Sequence, residues 1–459
     1  MHPNIGGSSV VEQLRSTRRG FLGYLGLSAV SAGVAGVGVG SERPTIVNPR
    51  ATDGDERFEP KWDERLTVTV GHKNADLIGR DDRVLQAAVD YVSRLGGGTV
   101  HVLPGTYTLR SAVVLPSKIR LLGSGAESIL TKIPSDTVEL AGDSDWYDQE
   151  ITLQNAKDFR VGDGIVLQSK NPDNGSQTVI KRTLVARSGN RFKLNDGLRE
   201  NLWLTGKPTC SSLFPLLTSE YTADVLIENI TLEGNRANNE NFNGNYGGCI
   251  FLQDCNRYTI RGVTARNYNG DGISFQICHD VVVENCHSHD NADLGMHPGS
   301  GSQRPLIRNN KMERNNLGLF WCWGVKYGLA EGNFIDGNRS YGISIGHCDT
   351  DNVMRSNEIR NSGKIGILFR DDSRGQDFWA NRNLIEGNRI FDSGGDDGIA
   401  IDITGKTKDV RIVKNEISET RMPMQRTAIR IGEEAGKVEL TDNRIEGFAS
   451  QVVDQRRSS

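Results

Sequence analysis

Between Gly248 and Ile401 the chain repeats one short phrase seven times: a glycine, two apolar residues flanking a variable one, then a loop. The phrases begin at Gly248, Gly272, Gly295, Gly318, Gly342, Gly366 and Gly398, at intervals of 24, 23, 23, 24, 24 and 32 residues. A period in this range predicts a solenoid, each turn stacked on the one before. Matching positions of successive turns then lie about 4.8 Å apart, the strand spacing of a sheet. Side chains distant in sequence fall into columns, and the functional question is which column carries chemistry.

Positions one and three after each glycine are apolar: Ile273 and Phe275, Met296 and Pro298, Leu319 and Trp321, Ile343 and Ile345, Ile367 and Phe369, Ile399 and Ile401. Alternate residues of a strand face opposite ways, so these fill the interior. Position two faces out: Ser274, His297, Phe320, Ser344, Leu368 and Ala400. The 53 glycines and short β-branched runs fit an all-β chain full of turns. Asn310, Asn333, Asn357, Asn388, Asn415 and Asn443 recur with the turns and predict a structural ladder of stacked amides. Of the seven cysteines, Cys255 and Cys278 lie one turn apart and suit stacking; a disulfide is one reading for Cys322 and Cys348, with stacked buried thiols the commoner reading for a solenoid interior. The net charge of -4 gives no reason to expect a nucleic-acid partner.

Residues 1–40 read as a signal. Ser16-Thr17-Arg18-Arg19-Gly20-Phe21-Leu22 precedes an uncharged Gly- and Ala-rich run, and the whole resembles a twin-arginine export signal. That resemblance implies the twin-arginine export machinery as a partner, a periplasmic or extracellular location, and no stable membrane span after cleavage. Residues 41–65, with Pro44, Pro49 and Pro60, read as a linker. Residues 66–139 read as an N-terminal cap and the first turns, and 140–212 as a β-rich insertion beside the groove. Residues 213–450 are assigned to the coil and 451–459 to a tail.

The cap is an amphipathic helix over Asp81–Leu95, with Val84, Leu85, Ala88, Val89 and Val92 on one face and Gly96-Gly97-Gly98 as its stop. An open first turn needs such a cover. This helix, the glycine triplet, the run Val102-Leu103-Pro104-Gly105-Thr106-Tyr107 and then Ile119–Gly125 resemble the start of a pectin-lyase-like right-handed parallel β-helix. The resemblance implies an all-β solenoid with an N-terminal capping helix and says little about substrate.

Just past the strands the residues change character. Gln276, then Trp323 and Lys326, then His347 and Asp349, then Arg370 and Asp371 fall on one side of successive turns with His297. From the His297 turn to the Arg370 turn is about 14 Å, the length of a few sugar rings. Titratable groups gathered in one stripe mark a candidate site, and an exposed Trp323 suits stacking on a sugar face. The bland reading makes the histidines satisfied structural residues and the aspartates solvated turn residues. Asp349, Asp351, Asp371 and Asp372 also carry the oxygen ligands calcium takes. No cofactor is otherwise required.

Asn269-Gly270-Asp271-Gly272-Ile273, followed one turn later by Asn291-Ala292-Asp293, is similar to polygalacturonases. Asp271 matches the first catalytic Asp of that family and Asp293 the last, but Ala292 stands where a second Asp belongs. The Gly346-His347 pair comes one turn late, and no Arg-Ile-Lys follows. Hydrolysis needs two carboxyls across the bond, which Asp271 and Asp293 would supply. β-Elimination of an acidic, uronate-containing polysaccharide needs cations for the carboxylate and a base for the carbon-bound proton. Arg370 and Lys326 would supply charge, His297 or His347 the base, and Tyr341 the acid. Gln276, Trp323, Asp349 and Asp371 would bind substrate. The cationic stripe on an acidic chain favours elimination over hydrolysis. Uronate epimerisation, which begins with the same proton abstraction, and a non-catalytic carbohydrate-binding solenoid stay open.

Overall fold

A computed structural model describes residues 59–456, apart from Lys157 and Asp173. The signal, and the linker before Glu59, lie outside the described residues. From Leu66 onwards the chain winds through three parallel sheets. One turn visits Asp271–Gln276, then Val282–Glu284, then His287–His289. The same three stations recur along the coil, giving sheets of 11, 13 and 11 strands. The sheet containing Asp271–Gln276 is called the groove sheet below. Its strands run from Val113–Val114 to Ser450–Asp454. Ser450–Asp454 pairs in parallel with Thr427–Ile431. Residues 451–454, assigned to the tail on sequence, therefore form part of the last rung.

The helix spans Asp82–Arg94 and buries Leu85, Ala88, Val89 and Val92 against the first strands, including Val68 and Val100. Its stop is steric as well as conformational. Gly97 has φ +102°, and a Cβ there would meet the Lys118 carbonyl oxygen at 2.2 Å.

The amide ladder explains the asparagine repeat. The Oδ1 of Asn333 accepts both the backbone N–H (3.0 Å) and the side-chain N–H (2.9 Å) of Asn310, and Asn357 does the same for Asn333. The pattern continues through Asn388, Asn415 and Asn443. The residue before each ladder Asn is left-handed: Asn309, Gly332, Ser356, Gly387, Lys414 and Asp442 all have φ between 54° and 63°. A single left-handed residue makes the sharp corner, and the amide satisfies the backbone groups that the corner strands inside.

Five of the seven glycines align in one column. Gly272, Gly295, Gly318, Gly342 and Gly366 each face so closely onto the opposite wall that a Cβ would sit within 2.8 Å of a neighbour. The outer two are out of register. Ile250 pairs with Ile273, so Cys249 rather than Gly248 holds the glycine position. At the other end Ile367 pairs with Ile401 and Leu368 with Asp402, which puts Ala400 in that place. The outward residue of this turn is Asp402, not Ala400, because the column position falls two residues after Gly398.

Residues 137–211 contribute a six-stranded sheet with antiparallel pairing and its own core around Phe159, Leu167, Phe192 and Leu202. Its first strand, Thr137–Glu139, begins three residues before the boundary read from sequence. All seven cysteines are free thiols, Cys322 and Cys348 included. Cys255 and Cys278 do stack, the Cys255 N–H donating to the Cys278 sulfur at 3.4 Å.

Candidate functional site

The groove sheet turns one column of side chains outward. In order it reads Phe251, Ser274, His297, Phe320, Ser344, Leu368, Asp402 and Arg430. Two residues later in each strand runs a second outward column, in which Gln276 is followed by Gly299. Cys322, Gly346 and Arg370 continue it. The glycines leave space that long neighbours fill. A Cβ at Gly299 would meet the Gln276 amide at 2.3 Å, and one at Gly346 would meet the Arg370 guanidinium at 2.4 Å.

At the upper end of this face His297 and Asp271 form a sealed pair. His297 Nδ1 lies 2.7 Å from Asp271 Oδ2, with the residues 2% and 1% exposed. The other Asp271 oxygen accepts the Leu294 N–H at 3.0 Å. The loop before Gly248 closes over both: a Cβ at Gly244 would fall 1.7 Å from Asp271 Oδ2, and Ser274 Oγ donates to the Gly244 carbonyl. Burial alone would lower the His297 pKa. The Asp271 hydrogen bond and the neighbouring Cys322 sulfur outweigh it and raise the value to about 9. Asp293 is half-buried, bonded by Asn241 at 2.8 Å, and its carboxyl is pushed up by burial. Asp271 thus lies beneath the loop and bonded to His297, where it cannot face Asp293 across a glycosidic bond.

The centre of the face is a stacked run. His297 meets the Phe320 ring edge-on at 5.3 Å, and the Arg370 guanidinium lies 4.3 Å over the same ring. Arg370 donates to Ser344 Oγ (2.8 Å) and the Trp321 carbonyl (3.1 Å). Its side chain is mostly buried, with Asp349 at 3.7 Å and Asp372 at 3.8 Å.

Beyond the strand ends lies an exposed aromatic and cationic ledge. Trp323, 40% exposed, lies against His347 with ring centroids 4.4 Å apart and planes tilted by 37°, and Phe378 meets the His347 ring edge-on at 5.5 Å. The Arg374 guanidinium covers the Trp323 ring at 4.6 Å. His347 Nδ1 accepts the Arg374 backbone N–H at 2.9 Å, so the neutral ring carries its proton on Nε2. Burial, together with Arg374 and Arg370 and against Asp372, lowers its pKa.

The ledge joins Trp323, His347 and Arg370 as the sequence pattern expects, but other stripe residues stand elsewhere. Asp349 is wholly buried, its carboxylate accepting the N–H groups of Gly324, Val325 and Gly346, each at 2.9 Å. It holds two turns together and has no surface for a sugar. Gln276 is buried under the same loop-covered end of the face. Lys326 lies in the turn beyond the groove sheet, bridged to Gln303 and Thr350. Tyr341 opens its strand beside Leu317 and Ile365, at the far end from His347. The calcium candidates do not converge. Asp349 is occupied as described, Asp351 is bidentate to Arg382 at 2.7 and 2.8 Å, and Asp372 lies between Arg370 and Arg374. Asp371 is exposed, with its carboxylate beside Gly405. Among the described residues no three His, Cys, Asp or Glu side chains are grouped to hold a metal.

Sequence reasoning passed over Arg374 and Phe378. Their signal was the 32-residue interval after Gly366, which leaves surplus chain for a protruding loop. It also passed over Asp402, which pairs with Arg430 through two of the guanidinium nitrogens, Nε and Nη2. Nearer the N-terminus, the insertion and the groove sheet enclose a cavity of about 600 Å3 lined by Lys181, Arg182, Glu220, Tyr246 and Gln253 among others. No helix among the described residues is long and apolar enough to cross a membrane.

Residues 248–377 match the family model described as a right-handed beta helix region. Similar solved structures include the tailspike gp61 of Pseudomonas phage phi297, at 14% identity and TM-score 0.43, covering 80% of this chain and 68% of that one. The A-module of Azotobacter vinelandii mannuronan C-5 epimerase AlgE4 is similar at 16% identity and TM-score 0.46, covering 83% and 96%. PfbA, a surface adhesin of Streptococcus pneumoniae, is similar at 13% identity and TM-score 0.49, covering 84% and 91%. No curated protein matches the sequence significantly. With three stacked parallel sheets, one capping helix and the match over its central turns, the chain is a right-handed parallel β-helix protein.

Proposed function

We propose that this protein is an exported carbohydrate-active β-helix that holds an acidic polysaccharide on the ledge of Trp323, His347, Phe378 and Arg374. The observation that carries the reading is the stack itself: an exposed indole backed by an imidazole and capped by a guanidinium. The exposed part of the indole suits apolar contact with a sugar ring, and the guanidinium suits its carboxylate bidentately. Arg370 adds a second positive charge behind the ledge.

Of the chemistries weighed, hydrolysis by Asp271 and Asp293 has least support, because Asp271 is sealed and bonded to His297. Elimination and epimerisation keep their cations but have a less ready base. His347 presents an N–H to the ledge in its neutral form, and His297 holds its proton beneath the loop. Binding of an acidic polymer is therefore the primary reading, and cleavage by β-elimination is the activity to test for on it.

The test is a panel of polymers in affinity electrophoresis, with polygalacturonate and alginate against neutral dextran and cellulose derivatives. Retardation by the acidic polymers alone, weakening with salt, is expected. Ultraviolet absorbance of unsaturated uronate in the same mixtures would establish elimination, and reducing ends without it hydrolysis. Equal retardation by neutral polymers, or none by any, would overturn the reading.

A further inference from the structure

Beside the ledge, and sharing Arg370 with it, three side chains from three successive turns come together. Asp271 bonds His297 through Nδ1, and the opposite ring nitrogen, Nε2, is buried with no hydrogen-bond partner. Cys322 lies one turn on and two residues along, diagonally adjacent to His297 on the outer face of the groove sheet. It is near enough to act on the charge of both the His297 ring and the Arg370 guanidinium. Unlike the five buried cysteines it is partly exposed. Glycines stand before and after it in its column, Gly299 and Gly346. The Gln276 amide lies over the first and the Arg370 guanidinium over the second. The Arg370 guanidinium is thus an N–H donor beside the thiol.

We propose that Cys322, His297 and Asp271 form a nucleophilic triad for acyl transfer, acting on a carboxylic ester such as an O-acyl group on a sugar hydroxyl. The roles follow from position. Asp271 fixes the ring with Nδ1 towards itself and Nε2 free. His297 holds the proton that Cys322 gives up. The Arg370 guanidinium stands where negative charge develops on the carbonyl oxygen. In the first step Cys322 Sγ bonds to the ester carbonyl carbon. The carbon–alkoxy bond breaks, and the departing alcohol takes the proton from His297 Nε2. In the second step water bonds to the thioester carbon and the carbon–sulfur bond breaks. The proton from water returns to Nε2, restoring the thiolate and imidazolium. Ester and water become acid and alcohol.

The test uses the folded protein with iodoacetamide and with p-nitrophenyl acetate. Alkylation of Cys322, followed by peptide mass, is expected to be nearly flat between about pH 6 and 8, where an ordinary thiol with pKa about 8.5 gains close to tenfold per unit. Cys348, also partly exposed, serves as the internal control. With p-nitrophenyl acetate a burst of one nitrophenolate per chain is expected, with the acetyl group on Cys322. Cys322→Ser should abolish the burst. His297→Gln should slow Cys322 alkylation about tenfold at neutral pH and leave Cys348 unchanged. A Cys322 profile that rises with pH like that of Cys348 would overturn the proposal without any variant. So would acetylation at other residues only. Neither outcome bears on polymer binding at Trp323, which is read separately.

Discussion

Asp271 and His297, 26 residues apart in sequence, meet at 2.7 Å across adjacent turns and are closed off together beneath the loop at Gly244. The pair ties that loop's floor to the start of the outward column, so its ionisation is a stability matter as well as a chemical one.

His297 has a folded-state pKa of about 9 against 6.5 for the free side chain. A raised value means that the folded state binds the proton more tightly. The stabilisation is therefore complete below about pH 6.5 and is lost as the pH rises through about 9. Replacing Asp271 by Asn leaves a buried imidazolium without its counter-charge. We expect a loss of about 3 kcal/mol at pH 6, and a clearly smaller one at about pH 10. Thermal unfolding of both proteins at the two pH values checks this, and equal losses would contradict it.

Lys132 gives the opposite slope. It is almost wholly buried inside the coil, with Nζ 3.2 Å from the Phe214 carbonyl and 3.4 Å from Asn269 Oδ1, and lies over the Phe214 and Tyr268 rings. Burial lowers its pKa from 10.5 to about 7. The unfolded chain then binds more protons between these values, so this group makes stability rise from about pH 7 to 10.5. Lys132→Met should flatten that part of the stability profile, measured by urea denaturation across the range. An unchanged slope would show that the amine is not titrating there.

The ladder predicts a purely structural cost. Asn357 accepts two hydrogen bonds from Asn333 and donates to the Ala330 carbonyl and Asn388. Asn357→Ala leaves buried partners unsatisfied and should cost about 2–4 kcal/mol. Binding to an acidic polymer should be unaffected in the protein that remains folded. A denaturation midpoint close to that of the native chain would contradict the ladder's role.

These residues also show what a sequence can disclose about such a fold. The core was legible because Ile273, Met296, Leu319, Ile343 and Ile367 repeat at constant spacing and strand geometry dictates their direction. The ladder was legible for the same reason. Register failed at Gly398, where a longer turn moved the glycine off the column and hid Asp402. The site was legible in part. Trp323, His347 and Arg370 follow the strands directly, so the period carries them to one side. Arg374 and Phe378 sit on surplus loop whose path depends on what it packs against. Asp349 looked like a ligand because composition cannot distinguish a carboxylate facing water from one holding three backbone N–H groups. The burial of Asp271 depends on Gly244, which lies outside the repeat.

The most direct test of acidic-polymer binding at the ledge is a fluorescence titration of the folded protein with galacturonate oligomers at low salt, comparing native chain with Trp323→Phe. A saturable change in the native protein is predicted, absent in Trp323→Phe and weakened as salt is raised. An identical change in both proteins, or no saturable change in the native one, would contradict the assignment of this ledge as the polysaccharide site.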